Sequence, residues 1–243
     1  MTEGKPDIRI GTSGWHYGHW AGLFYPEQLP KSKWFAYYAG HFDTVEINNT
    51  FYQLPKPVSL KNWYAQAPVD FVYSVKANRF ITHIRKLKEP SEAVGRFFER
   101  VGILKEKLGV VLYQLPPSLH KDLGRLEAFI NILPKDVPCA FEFRHKSWFS
   151  NDTFALLETY GAAFCIHDLG GIDCPAVVTG KIIYIRFHGA AGRYQGSYSQ
   201  AQLKNWARWI KDHTAGIEKV YVYFNNDFEA KAVANAKALK SQF

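Results

Sequence analysis

Cys139-Ala140-Phe141-Glu142-Phe143-Arg144 sets two aromatic rings against two ionisable side chains in strict alternation. Successive side chains of an extended chain point to opposite faces, so Phe141 and Phe143 share one face, and Glu142 shares the other with Arg144. In a barrel wrapped by helices, the bulky face packs outward against the helices and the ionisable face points inward, toward the mouth. Val45-Glu46-Ile47-Asn48 repeats the pattern, with Val45 and Ile47 outward and Glu46 and Asn48 inward.

Working outward from these two stretches, short apolar runs suited to strands occur at residues 8–12, 44–48, 71–76, 110–114, 139–143, 163–167, 182–187 and 220–224. Between them lie amphipathic segments. One is 91–108, where Val94, Phe97, Phe98, Val101 and Leu104 recur at helical spacing; others are 203–210 and about 228–241. Eight strands alternating with helices predict an α/β protein, a single (β/α)8 TIM-type barrel over residues 1–243. The connection 168–181 is short and rich in Gly and Pro, so the helix between strands 6 and 7 is expected to be irregular or missing.

The same parity places Ser74 and Lys76 inward on the third strand, Gln114 on the fourth and His167 on the sixth. It places Tyr184, Arg186 and His188 inward on the seventh, and Tyr221, Tyr223 and Asn225 on the eighth. Polar groups are costly to bury without purpose, and barrel enzymes keep their sites at the C-terminal ends of the strands. Two carboxylates against Lys76, Arg144 and Arg186 give a net cationic mouth, which favours a small anionic substrate held by Arg144, Arg186 and the Gly189–Gly192 loop. Glu46, Glu142, Lys76 and His167 are the candidate catalytic groups. Asn48, Gln114, His188, Asn225, Trp15, Tyr17 and Asp168 are candidate substrate contacts. A divalent metal held by Glu46, Glu142, His167 and His188 is the less favoured arrangement, because the cations oppose it. Structural ion pairing that plugs the barrel is the plain alternative.

The chain has 243 residues and a formal net charge of +8, with no apolar run long enough to span a membrane. The charge suits acidic partners, and the basic segment 79–88 with Trp15, Tyr17 and Tyr52 makes nucleic-acid binding a second reading. A non-catalytic metabolite sensor is a third. Cys139, Cys165 and Cys174 show no paired spacing and the N-terminus lacks a signal-peptide pattern, so a cytoplasmic location is expected. Asn226 or Asp227 is expected to cap the last helix.

Several segments together resemble the YecE-like family, number seventy-two of the families of unknown function. They are Gly11-Thr12-Ser13-Gly14-Trp15, Phe24-Tyr25-Pro26, Val45-Glu46-Ile47-Asn48 with Phe51-Tyr52, Lys76-Ala77 with Ile81-Thr82-His83, Gln114-Leu115-Pro116-Pro117, Glu142-Phe143-Arg144 with Trp148, Arg186-Phe187-His188-Gly189 and Tyr223-Phe224-Asn225-Asn226-Asp227. The resemblance spans almost the whole chain. It implies a TIM-type barrel whose hallmark residues fall at Glu46, Asn48, Lys76, Gln114, Glu142, Arg144, Arg186, His188 and Asn225. Asp168 fits the family pattern, and His167 is less typical of it. The resemblance implies no particular reaction.

Overall fold

The computed structural model describes residues 5–192 and 194–243. Its eight strands are β1 (Asp7–Thr12), β2 (Thr44–Ile47), β3 (Val72–Lys76), β4 (Leu108–Leu115), β5 (Cys139–Phe143), β6 (Ala163–His167), β7 (Ile182–Phe187) and β8 (Lys219–Phe224). All pair in parallel, in the order β1-β8-β7-β6-β5-β4-β3-β2. Among the described residues the α-helices are α1 (Trp34–Ala39), α2 (Pro57–Gln66), α3 (Ser91–Val101), α4 (Leu123–Asn131), α5 (Asn151–Thr159), α6 (Gln200–Asp212) and α7 (Lys231–Lys240). The architecture is the α/β TIM-type barrel that the alternation predicts. The connection from β6 to β7 contains no helix, as its Gly and Pro content foretells. No helix of the described residues is long and apolar enough to cross a membrane.

The barrel is nearly closed, and its weak seam lies between β1 and β2. These strands share no continuous ladder; they meet in a parallel bridge between Ser13 and Glu46, where the Gly14 N–H donates to the Glu46 carbonyl at 2.8 Å. Below that point the Tyr38 hydroxyl of α1 fills the gap. It accepts from the Thr12 N–H at 3.1 Å and donates to the Thr44 carbonyl at 3.0 Å. Gly11 has to be glycine for this approach, because a Cβ there would stand 2.4 Å from the Thr44 oxygen.

Two separate hydrophobic clusters confirm the parity. The outer one joins Val45, Ile47, Tyr73, Val75, Phe141 and Phe143 to the helices. The inner one fills the barrel with Val110, Leu112, Ala140, Ala163, Cys165, Tyr184, Tyr221 and Tyr223. Small residues on β5 and β6 face tyrosines from β7 and β8, so large and small side chains share the narrow interior. The buried Tyr223 hydroxyl bonds Ser74 Oγ at 2.8 Å and Thr44 Oγ1 at 2.6 Å, which leaves it no unmet polar demand.

Two helix expectations are corrected. The 91–108 segment leaves α-helix at Val101 and continues as 3-10 turns from Gly102 to Lys107, broken at Lys105, whose φ is 49°. That break lets Lys107 reach α2, where its ammonium donates to the Tyr64 and Ala67 carbonyls at 2.9 and 2.6 Å. The last helix begins at Lys231, after a 3-10 turn in which Glu229 and Ala230 both have φ of 54°. Neither Asn226 nor Asp227 caps it through its side chain. Asn226 instead donates to the Gly196 carbonyl and to Asn235 Oδ1, both at 2.9 Å, and so ties the loop after β7 to α7.

Candidate active site

The inward residues at the strand ends assemble into one alternating chain of charge. Arg186 lies on the axis. Its Nε and Nη2 donate to Glu46 Oε1 at 3.1 and 2.8 Å, and its Nη1 donates to Glu142 Oε2 at 2.5 Å. Arg144 in turn pairs with Glu142 Oε1, to which Gln114 Nε2 also donates at 2.7 Å. Ser13 Oγ and the Tyr184 hydroxyl complete the shell of Glu46 at 2.5 and 2.7 Å. Strands β1, β2, β4, β5 and β7 therefore converge on two carboxylates, and parity is what brings them there.

Both carboxyls titrate below the ordinary carboxylate range. Burial alone would raise them. For Glu46 the Arg186 guanidinium and the hydroxyl donors outweigh burial; for Glu142 the Arg144 and Arg186 guanidiniums do so, and by a wide margin. Both are held as carboxylates. Arg186, expected to grip an anion, is sealed at 1% exposure with its donors turned to the two glutamates.

The histidines also have defined hydrogen-bonding states. Arginine offers donors only, so His188 Nε2, at 3.0 Å from Arg144 Nη2 and 3.3 Å from Arg186 Nη1, must be the acceptor. Its proton sits on Nδ1, which faces Asp168 Oδ1 at 3.7 Å. Burial, with Arg186 beside it, pushes His188 down to about 4. His167 has both ring nitrogens on the backbone, Nε2 at 3.0 Å from the Phe143 carbonyl and Nδ1 at 3.4 Å from the Leu169 N–H. Asp168 braces the loop after β7 by accepting from the His188 N–H at 2.6 Å and from the Tyr198 hydroxyl.

That loop was expected to cradle an anion with its amides, and its bonds are directed elsewhere. The Gly189 N–H donates to the Tyr198 hydroxyl at 2.7 Å, and the Ala191 and Gly192 amides bond Gln195 and Gly189 carbonyls. Gly189 has a φ of 117°, and a Cβ on it would stand 2.2 Å from the Gln195 oxygen, so the tight turn depends on glycine. Arg193 of the same loop lies outside the described residues.

Lys76 stands apart. Among the described residues it has no carboxylate partner, and its ammonium lies over the Phe51 ring, 4.2 Å from the centroid. Burial, reinforced by Arg186, pulls its pKa down to about 7. Beside it is His83, a residue that sequence reasoning left in a basic run. Its ring meets Phe51 edge-on at 4.8 Å, Nδ1 lies 2.8 Å from Thr82 Oγ1, and burial with Lys76 nearby lowers it to about 4. His83 reaches the mouth because residues 80–84 form a π-helical turn, a wider coil common at functional sites.

Trp15, Tyr17 and Asn48 lie off the axis. They line an open cleft of about 520 Å³ beside the mouth, between the loops after β1 and β2 and helix α2. The sealed charge chain and the open space are thus adjacent but distinct. Asn225 is buried just past β8, with its N–H bonded to the Phe187 carbonyl at 2.8 Å. Among the described residues no group of three or more His, Cys, Asp and Glu is placed to hold a metal ion; Arg186 stands between Glu46 and Glu142.

The family described as "Protein of unknown function DUF72" matches residues 9–243. The chain belongs to the DUF72 family. YunF of Bacillus subtilis (strain 168) is 26% identical to it over 265 residues, spanning 96% of this chain and 93% of YunF. YecE of Escherichia coli (strain K12) is 31% identical over 146 residues, 59% of this chain and 50% of YecE. The crystal structure of a DUF72 protein from Thermotoga maritima superposes with a TM-score of 0.87 at 30% identity, covering 97% of this chain and 98% of that one. The DUF72 relationship agrees with the resemblance carried by the strand-end residues.

Proposed function

We propose that this DUF72 protein is an acid/base enzyme acting on a small anionic, phosphate- or sugar-containing substrate at the C-terminal mouth, with Lys76 as the proton-transferring group. One observation carries the reading. Among the described residues, and of the three cations aimed inward, Lys76 alone has no carboxylate partner, whereas Arg144 and Arg186 are committed to Glu142 and Glu46.

An amine near neutrality at pH 7 accepts a proton from substrate and returns it without a large energetic penalty. Once protonated, it faces a substrate oxygen that gains negative charge, and the nearby Arg144 adds a second positive field. Glu46 and Glu142 fix the arginines and, through them, His188. The site therefore needs little reorganisation as charge develops. In this reading the glutamates position the cations rather than exchange protons, and His167 supports the strand ends.

A thermal-shift panel tests the proposal with inorganic phosphate, sugar phosphates, nucleotides, divalent cations and short oligonucleotides at low and moderate salt. A ligand that binds the native state raises the melting temperature by mass action. We expect a rise with small phosphorylated compounds that shrinks in Lys76→Met. A rise only with metals, or only with oligonucleotides at low salt, would overturn the reading.

A further inference from the structure

The cleft beside the mouth has a chemistry of its own. Helix α2 presents Ser59, Asn62, Trp63 and Gln66 to it, residues spaced i, i+3, i+4 and i+7 along one helical face. That polar face borders the open cleft. Trp15 crosses Trp63 edge-on at 5.3 Å, and Phe35 braces Trp15 from behind at 5.4 Å. On the opposite side stand Asn48 and Asn49 at the end of β2.

Among the described residues the lining contains no carboxylate, and its one formal charge is Lys31. Its other polar groups include the amides of Asn48, Asn49, Asn62 and Gln66, the hydroxyls of Tyr17, Ser32 and Ser59, and the His16 imidazole, spread over facing walls. Asn48 Oδ1 is buried and has no hydrogen-bond partner among the described residues. A buried acceptor in that state costs free energy until a donor reaches it. The cleft, at about 520 Å³, is of a size that houses whole ligands rather than a single small ring.

From this geometry we infer that the cleft is a glycosyl subsite, taking one or two neutral sugar rings of the substrate. The inference rests on the proposed chemistry at the mouth and names the neutral part of the same substrate. A sugar ring carries hydroxyls around its whole rim, each able to donate and accept. Amides on two facing walls match that distribution. A nucleobase carries fewer such groups, each of which only donates or only accepts. The apolar ring faces of a sugar pack on indole, which Trp15 and Trp63 supply. The subsite also adjoins Lys76: Asn49 lines it, and two residues on, across a single 3-10 turn, Phe51 lies under the Lys76 ammonium.

Titration of the full-length protein with neutral pyranosides and disaccharides, followed by tryptophan fluorescence and calorimetry, tests the inference, with adenosine and uridine as heterocyclic controls. We expect saturable binding of at least one sugar, weakened about tenfold in Asn62→Ala and in Gln66→Ala, the scale of one lost ligand hydrogen bond. Both side chains are exposed on α2, so these variants keep the fold. Lys61→Ala, exposed on α2 and outside the cleft lining, should bind the same sugar as well as the parent protein. Saturation by the nucleosides but by no sugar would overturn the ligand class. Binding that survives both cleft variants but is lost in Lys76→Met would overturn the location. If no sugar binds while phosphate compounds still raise the melting temperature through Lys76, the subsite is refuted and the reading of the mouth stands.

Discussion

Glu46 and Asn48 lie two residues apart at the end of β2, both predicted to face inward, and they meet opposite surroundings. Glu46 is fully buried and accepts from Ser13, Tyr184 and twice from Arg186. Asn48 opens on the cleft with its oxygen unpartnered. The axis is dense in paired charge and closed; the cleft is open and, among the described residues, carries Lys31 as its one formal charge. Ionisable residues at barrel strand ends can therefore be consumed in pairing with one another. In this protein they form a rigid floor, and the groups free to act, Lys76 and the cleft amides, stand around its edge.

The largest effect separating the two regions should come from Arg186→Met. It strands two buried carboxylates and should cost about 3–5 kcal/mol, read as a large drop in the thermal or denaturant midpoint. Stability close to that of the parent would show that the axial chain is not what holds the strand ends. The pH dependence of stability should split the regions next. Glu46 and Glu142 are depressed in the folded state, so their contribution is complete above the ordinary carboxylate range and is lost as pH falls through the folded values. Lys76 acts with the same sign in a more alkaline window. Its folded value near 7 lies below its ordinary 10.5, so the unfolded chain binds more protons between them and stability rises over that window. Denaturant midpoints from pH 3 to 10 should show both limbs, and Lys76→Met should remove only the alkaline one. Lys76→Met itself should stabilise the protein near neutral pH, because a desolvated amine is lost, by an amount that shrinks as pH rises toward 10.5.

Much of this was legible in the sequence. Alternation around Glu142 and around Glu46 was enough to place the strands, the inward faces and the barrel, because each strand's period of two is local. The Gly and Pro content of 168–181 was enough to remove a helix. Pairing was not legible, since Arg186 meets partners 140 and 44 residues away in sequence and no local pattern says which carboxylate each arginine takes. A count of three cations against two carboxylates left the mouth cationic; it could not show that two of the three cations are consumed. The cleft had a signal in Ser59, Asn62, Trp63 and Gln66, but a polar stripe at helical spacing reads as an ordinary solvated face until a cavity appears beside it. His83 was hidden because a π-helical turn places it, and nothing in Phe80-Ile81-Thr82-His83-Ile84 announces that coil.

The central claim is that Lys76 is the unpaired, reactive amine of the mouth. Its most direct test is the rate of acylation of Lys76 by a small reagent as a function of pH, followed by peptide mass spectrometry on the folded protein. A half-maximal rate near pH 7 is expected. A Lys76 profile centred near 10.5, the ordinary value of a lysine, would contradict it.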